Sequence, residues 1–197
     1  MIACQTTDDK VFRVLPARLG PTDLERDVAE EIEAPPVIST HRVTYSDRLK
    51  VFIGPAEAVH NFLRPLRRLD GHDRYSVCMT RLPAPMHARD IPASVSAERG
   101  SDYLHCMGSA DALVIELRET VDGHTRQAVV GRKSVTDRDN SYDAAAELLI
   151  SIQRGLRELV VHPDEVFTAE EAADIFAAYY RTGEVPDDLH LRERAVQ

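Results

Sequence analysis

Asp102, His105 and Cys106 put a carboxylate, a base and a thiol into one short stretch of chain. That is the raw material of nucleophilic catalysis, in which a base takes the thiol proton and a carboxylate orients the base. The spacing works against it, because neighbouring residues on an extended strand point to opposite faces and His105 then cannot easily activate Cys106. A cysteine buried on a strand is the simpler reading. His41, His60, His72, His87, His105, Cys78 and Cys106 offer metal-ligating atoms but no recognisable ligand spacing, so no metal or cofactor is expected. Asp137, Asp139, Ser141 and Asp143 alternate like the ligands of a calcium loop. Tyr142 stands where such a loop needs glycine and Leu148 where it needs glutamate, so a solvated loop is expected instead. Asp70-Gly-His72 and Asp122-Gly-His124 are two copies of one tripeptide, and turn chemistry accounts for both. The chain has no Walker A loop, Gly-x-Gly-x-x-Gly, Gly-x-Ser-x-Gly or His-Glu-x-x-His. Any enzyme site would have to be dispersed, drawing on His72, His105, Cys106 and Asp111.

The elements that would position these residues are punctuated by proline and glycine. Pro21–Ile32 reads as a helix opened by Gly20-Pro21 and stopped by Pro35-Pro36. Val37-Ile38, Val43–Tyr45 and Leu49–Ile53 read as extended, with a turn at Ser46-Asp47. A second helix follows Gly54-Pro55, with Val59, Phe62, Leu63 and Leu66 on one side, and Pro65 should kink or shorten it. Tyr75–Thr80 reads as a strand, and Leu82–Gly100, with Pro83, Pro85 and Pro92, as a long surface loop. The clearest hairpin joins Ala112–Glu119 to Thr125–Gly131 through Asp122-Gly123, where glycine accepts the positive φ that the favoured turn needs. Residues 145–162 fit either a helix or a second hairpin turning at Arg154-Gly155. The glycine and the Ile/Val content favour the hairpin. The expected fold is therefore α+β in a single domain, a mainly antiparallel sheet of hairpins with two or three helices packed on one face or at its edges. Within it, residues 1–36 form an N-terminal helical extension, 82–100 a surface loop, and 112–186 a hairpin-plus-helix core.

The chain of 197 residues carries a net charge of −9, and the excess is concentrated: from residue 137 onward fourteen acids face six arginines. Nucleic acid is a poor partner for that surface, since phosphate binding needs basic groups, whereas a basic protein partner suits it. No apolar run approaches the roughly 20 residues that span a bilayer. The N-terminus lacks the basic and apolar regions of a secretory signal, so no membrane association and a cytoplasmic location are expected. Cys4, Cys78 and Cys106 are odd in number and widely spaced, which suits free thiols in a reducing compartment.

The last sixty residues hold the most strongly punctuated element. Thr168 and Glu171 form a capping box. Ala172, Ile175, Phe176 and Tyr179 make one apolar helical stripe, Gly183 supplies a left-handed stop, and Pro186 blocks resumption. A helix over 168–181 follows. Consecutive Tyr179 and Tyr180 cannot both face one core from a single helix, so one should be partly exposed. Glu165-Val-Phe-Thr-Ala-Glu-Glu-Ala172, then Phe176-x-x-Tyr179, then Thr182-Gly183-x-x-Pro186, resembles the C-terminal signature of immunity proteins from bacterial, often actinobacterial, polymorphic-toxin systems. In that family a hairpin precedes an Ala-rich helix, a Thr-Gly turn and a proline. A tryptophan commonly follows, where this chain has Leu191. The resemblance implies a small cytosolic inhibitor of a cognate toxin. On this reading the protein is a non-catalytic binding protein that meets a basic partner through Asp164, Glu165, Glu184, Asp187 and Asp188, with Tyr179 or Tyr180 as an aromatic anchor.

Overall fold

The computed structural model describes residues 38–92, 102–133, 148–152 and 157–194, all within the compact unit Pro35–Gln197. The expected helix Pro21–Ile32, the calcium-like stretch 137–143 and Cys4 lie outside the described residues. In chain order the elements are β1 (Ile38–Tyr45), β2 (Leu49–Ile53), α1 (Val59–Leu63), β3 (Ser76–His87), β4 (Tyr103–Ser109), β5 (Ala112–Val121), β6 (His124–Arg132), β7 (Leu148–Ile152), β8 (Arg157–Val161), β9 (Val166–Phe167), α2 (Ala169–Thr182) and β10 (Leu189–Arg194). The fold is α+β, as expected. Seven strands form an antiparallel sheet in the order β10-β6-β5-β4-β3-β1-β2, and β9 pairs with β5. β7 and β8 make a separate antiparallel hairpin, which resolves the ambiguity over 145–162 in favour of strands.

Turn chemistry fixes the two main hairpins. Ser46 and Asp47 have φ of 47° and 57°, and Asp122 and Gly123 have 51° and 79°, so both pairs adopt the left-handed turn whose twist matches the flanking strands. Pro65 acts as anticipated: α1 ends at Leu63 and the chain continues as a 3-10 turn over Arg64–Arg68. α2 begins as read, with Thr168 Oγ1 accepting from the Glu171 N–H at 3.4 Å and a Glu171 carboxylate oxygen accepting from the Thr168 N–H at 2.8 Å. It ends at Gly183, with φ 80°.

One face of the large sheet carries the main core. Val43, Val77, Met79, Leu104, Cys106, Leu113, Ile115 and Val130 meet Ala172, Ile175, Phe176, Tyr179 and Tyr180 of α2, with Phe62, Leu63 and Leu66 closing one side. The predicted stripe is the buried one, and each large member adds about 1.5–3 kcal/mol through removal of apolar surface from water. The core reaches from Val43 to the α2 side chains and so is wider than the expected 112–186 segment. On the opposite face the β7–β8 hairpin contributes a small second cluster of Val114, Val129 and Val161 with Ile150, Leu159 and Val166.

Two expectations are corrected. Leu82–Gly100 is not a loop at its start, because β3 runs on to His87 and a 3-10 turn covers Ala88–Asp90; residues 93–100 are outside the described set. The prolines are tolerated there because β4 pairs with β3 only as far as Thr80, while the register against β1 slips between Ser39 and His41. Pro83 and Pro85 thus fall in a bulged stretch without a β4 partner, where a missing N–H costs nothing. The second correction is that β9 and β10 were not anticipated as strands, while β4 was read as extended only around His105 and Cys106.

Candidate functional site

The acids expected to contact a partner divide into two groups. Glu184, Asp187 and Asp188 are exposed and Asp164 is half-buried. Local hydrogen bonds hold the backbone beneath them. Thr182 Oγ1 accepts from the Glu184 N–H at 3.0 Å, the Pro186 carbonyl accepts from the Leu189 N–H at 3.1 Å, and the Lys133 ammonium donates to the Asp187 carbonyl. Asp164 lies beside the same end of β6, its carbonyl 3.7 Å from where a Cβ on Gly131 would sit. The structure therefore gathers Asp164 and Asp187 around the last residues of β6.

Glu165 belongs elsewhere. It is 4% exposed, and the Arg192 guanidinium donates to its two oxygens at 2.5 and 2.8 Å while the His162 N–H donates at 2.9 Å. Burial alone would raise its pKa, but those donors outweigh it and hold the carboxyl below its ordinary value. Glu165 is thus an internal ion-pair member rather than a partner contact. Tyr179 and Tyr180 are corrected in the same way, being 2% and 9% exposed. The helix has two walls to bury against. Tyr179 faces the sheet core, while the Tyr180 ring packs 4.9 Å from Phe62 and 5.0 Å from His41, with its hydroxyl donating to the Gly54 carbonyl. Neither is an exposed anchor.

The dispersed catalytic set does not assemble. Cys106 is fully buried on the helix side, and burial pushes its thiol up to about 12, so it stays protonated at neutral pH. His105 lies on the other face, its ring 6.1 Å from that of Tyr103, which follows from strand alternation. His72 is exposed in a turn organised by Asp70, whose carboxylate accepts from the His72 and Arg74 N–H groups at 2.9 and 3.0 Å. Those bonds hold the Asp70 carboxyl well below the usual range. Asp111 is exposed in the β4–β5 turn. Cys78 and Cys106 are free thiols, and among the described residues no group of three His, Cys, Asp or Glu could hold a metal ion.

One arrangement escaped the sequence. Pairing across β1, β3, β4, β5, β6 and β10 lines up Arg42, Thr80, Tyr103, Arg118, Gln127 and Arg194 in one row on the face away from α2. Beside it run Thr44, Cys78, His105 and Glu116. Arg42 donates to Thr80 Oγ1 at 3.1 Å, and Glu116 accepts from Arg194 at 2.5 Å and from Gln127 at 3.4 Å. Arg42 is 1% exposed and Glu116 6%. Such a band fixes charges in place rather than presenting a reactive group. No helix among the described residues is long and apolar enough to cross a membrane. No family model matches the chain, and no curated protein or solved structure is significantly similar to it.

Proposed function

We propose that the chain is a non-catalytic binding protein of the immunity type, which engages a basic protein partner through the exposed acids of its C-terminal third. The observation that carries this reading is the Glu184–Asp188 segment. Three exposed carboxylates stand on a backbone held by the Thr182 hydroxyl, the Pro186 turn and Lys133. Charges held in this way meet a partner with little ordering entropy left to lose, and opposite fields speed encounter. Glu165, Tyr179 and Tyr180 play no part in the contact. The burial of Cys106 weighs against the alternative, a small hydrolase or transferase with a dispersed His/Cys/Asp site, because it withdraws the nucleophile of that site.

The test uses the product of a reading frame adjacent to this one as partner. Association rates are measured at low and high ionic strength for the wild type and for Asp187→Lys/Asp188→Lys. Reversing both charges should slow association about tenfold at low salt and flatten its salt dependence, because steering charges act mainly on the on-rate. Circular dichroism should stay unchanged, since exposed charges contribute little to stability. Identical rates for the two proteins would place the interface elsewhere.

A further inference from the structure

A cleft of about 420 Å³ opens where the bulged stretch of β3 passes the C-terminal end of α2. That volume is in the usual range for small-molecule sites. Its lining has two characters. Pro55, Leu82, Pro83 and Pro85 supply apolar surface, Arg81 and Arg181 supply positive charge, and among the described residues no Asp or Glu lines it. Some arginines elsewhere in the fold are matched to carboxylates, as Arg132 is to Glu171, Arg192 to Glu165 and Arg194 to Glu116, while Arg48, Arg64, Arg68 and Arg118 make no ion pair among the described residues. Arg81 and Arg181 are exposed and make no ion pair or hydrogen bond among the described residues. In a chain of net charge −9, two guanidinium groups without a counter-ion make the lining of this one cleft positive. The wall beside them is also left unsatisfied. His41, 6% exposed, has Nδ1 3.0 Å from Thr40 Oγ1, and its Nε2 is buried without a hydrogen-bond partner. Buried polar atoms are nearly always paired in folded proteins, so the unpaired Nε2 leaves this wall with an unused polar group.

We propose that this cleft binds a small organic carboxylate with an apolar body, the head held by Arg81 and Arg181 and the body lying against Pro83 and Pro85. Guanidinium groups favour a carboxylate because their planar donors match its two oxygens. The apolar lining favours a ligand with hydrocarbon to bury over a bare inorganic anion. A competing role exists for the same arginines. The last carbonyls of α2 carry partial negative charge, and cations there stabilise a helix without any ligand. Arg81 is well placed for that, since a Cβ added to Gly183 would lie 2.3 Å from its guanidinium nitrogen. The site stands independently of the acidic surface proposed above.

The experiment is a chemical-shift titration of isotopically labelled full chain at neutral pH with three probes: 4-phenylbutyrate, its neutral amide, and inorganic phosphate. The expected result is saturable shifts at Thr40, Ala84 and Gly183 with 4-phenylbutyrate, and binding at least tenfold weaker with the amide and with phosphate. Arg81→Gln and Arg181→Gln should each weaken 4-phenylbutyrate by tenfold or more. Arg126→Gln, which touches only the exposed Glu119 pair, should leave it unchanged. Both cleft arginines are exposed, so these variants should fold, and their spectra verify it. Absence of saturable shifts at the cleft, equal binding of the amide, or undiminished binding by Arg81→Gln would each overturn the proposal. Loss of stability in Arg81→Gln with no binding to lose would assign these arginines to the helix end.

Discussion

Replacing Arg192 by Met should be among the most damaging single changes available at the C-terminus. The perturbation removes the guanidinium that donates to both Glu165 oxygens and leaves a carboxylate, 4% exposed, with the His162 N–H still donating to it. Removing one partner of a buried pair costs about 3–5 kcal/mol, because the other charge stays desolvated without compensation. The Arg192 side chain is 29% exposed, so water can enter through the gap it leaves, and the lower end, about 3 kcal/mol, is expected. With a urea slope near 2 kcal/mol per molar, the unfolding midpoint should fall by about 1.5 M. The loss should also depend on pH. In the wild type the Arg192 bonds and the His162 N–H overcome burial and keep the Glu165 pKa low, a contribution present above the unfolded carboxyl pKa and lost as pH falls. In the variant burial dominates and the carboxyl readily takes a proton, so the gap between the two proteins should close in acid. The double variant Glu165→Leu/Arg192→Leu should return to within about 1 kcal/mol of wild type, since an apolar pair carries no desolvation cost. A midpoint for Arg192→Met within error of wild type at neutral pH would refute the reasoning and return Glu165 to the list of available surface acids.

Other perturbations read different links in the same chain of causes. Thr168→Ala should cost about 1 kcal/mol in urea unfolding, toward the lower part of the usual range, because Arg132 still binds Glu171 when the hydroxyl is gone. His41 has its pKa lowered to about 4 by burial and by the positive charge of Arg81, so it resists protonation when folded. Between pH 7 and pH 5 the unfolded chain gains a proton there that the folded one refuses. The wild type should therefore lose about 2 kcal/mol over that range relative to His41→Asn, and parallel pH profiles would exclude it. Gly108→Ala should destabilise by about 2 kcal/mol or more, since φ is +128° and the added Cβ would sit 2.1 Å from the Ala112 carbonyl oxygen; thermal melts check this.

What could be read from sequence was whatever is decided locally. The capping box at Thr168, the left-handed Gly183 and the Asp122-Gly123 turn each involve residues within four positions of one another, and each stands where it was expected. The features that escaped depend on what lies beside a strand. Pro83 and Pro85 argue for a loop until it is known that β4 has already left β3 at Thr80. Leu189–Arg194 has little apolar alternation of its own, and it becomes a strand by pairing with β6. Tyr179 and Tyr180 together argued for one exposed ring because a single flat core accepts one helix face, whereas Phe62 and His41 provide a second wall for Tyr180. Glu165 looked like one more acid in an acidic segment, since its partner stands 27 residues further on. The row from Arg42 to Arg194 is invisible for the same reason: its members share a face only once six strands are in register.

The position of β10 has a consequence for how the molecule is made. The neighbours of β1, β3, β4 and β5 emerge from a ribosome in order, so most of the sheet can close as it is synthesised. β6 has to wait, because the strand that covers its free edge is the last element of the described chain. Until Leu189–Arg194 is released, the nascent domain exposes an uncovered β6 edge, the kind of surface that recruits other strands. Glu165 over the same interval lacks the cation that makes its burial tolerable. The sheet edge and the buried ion pair are therefore completed together by the same few residues, so a nascent chain that stalls or is truncated before Leu189 lacks both.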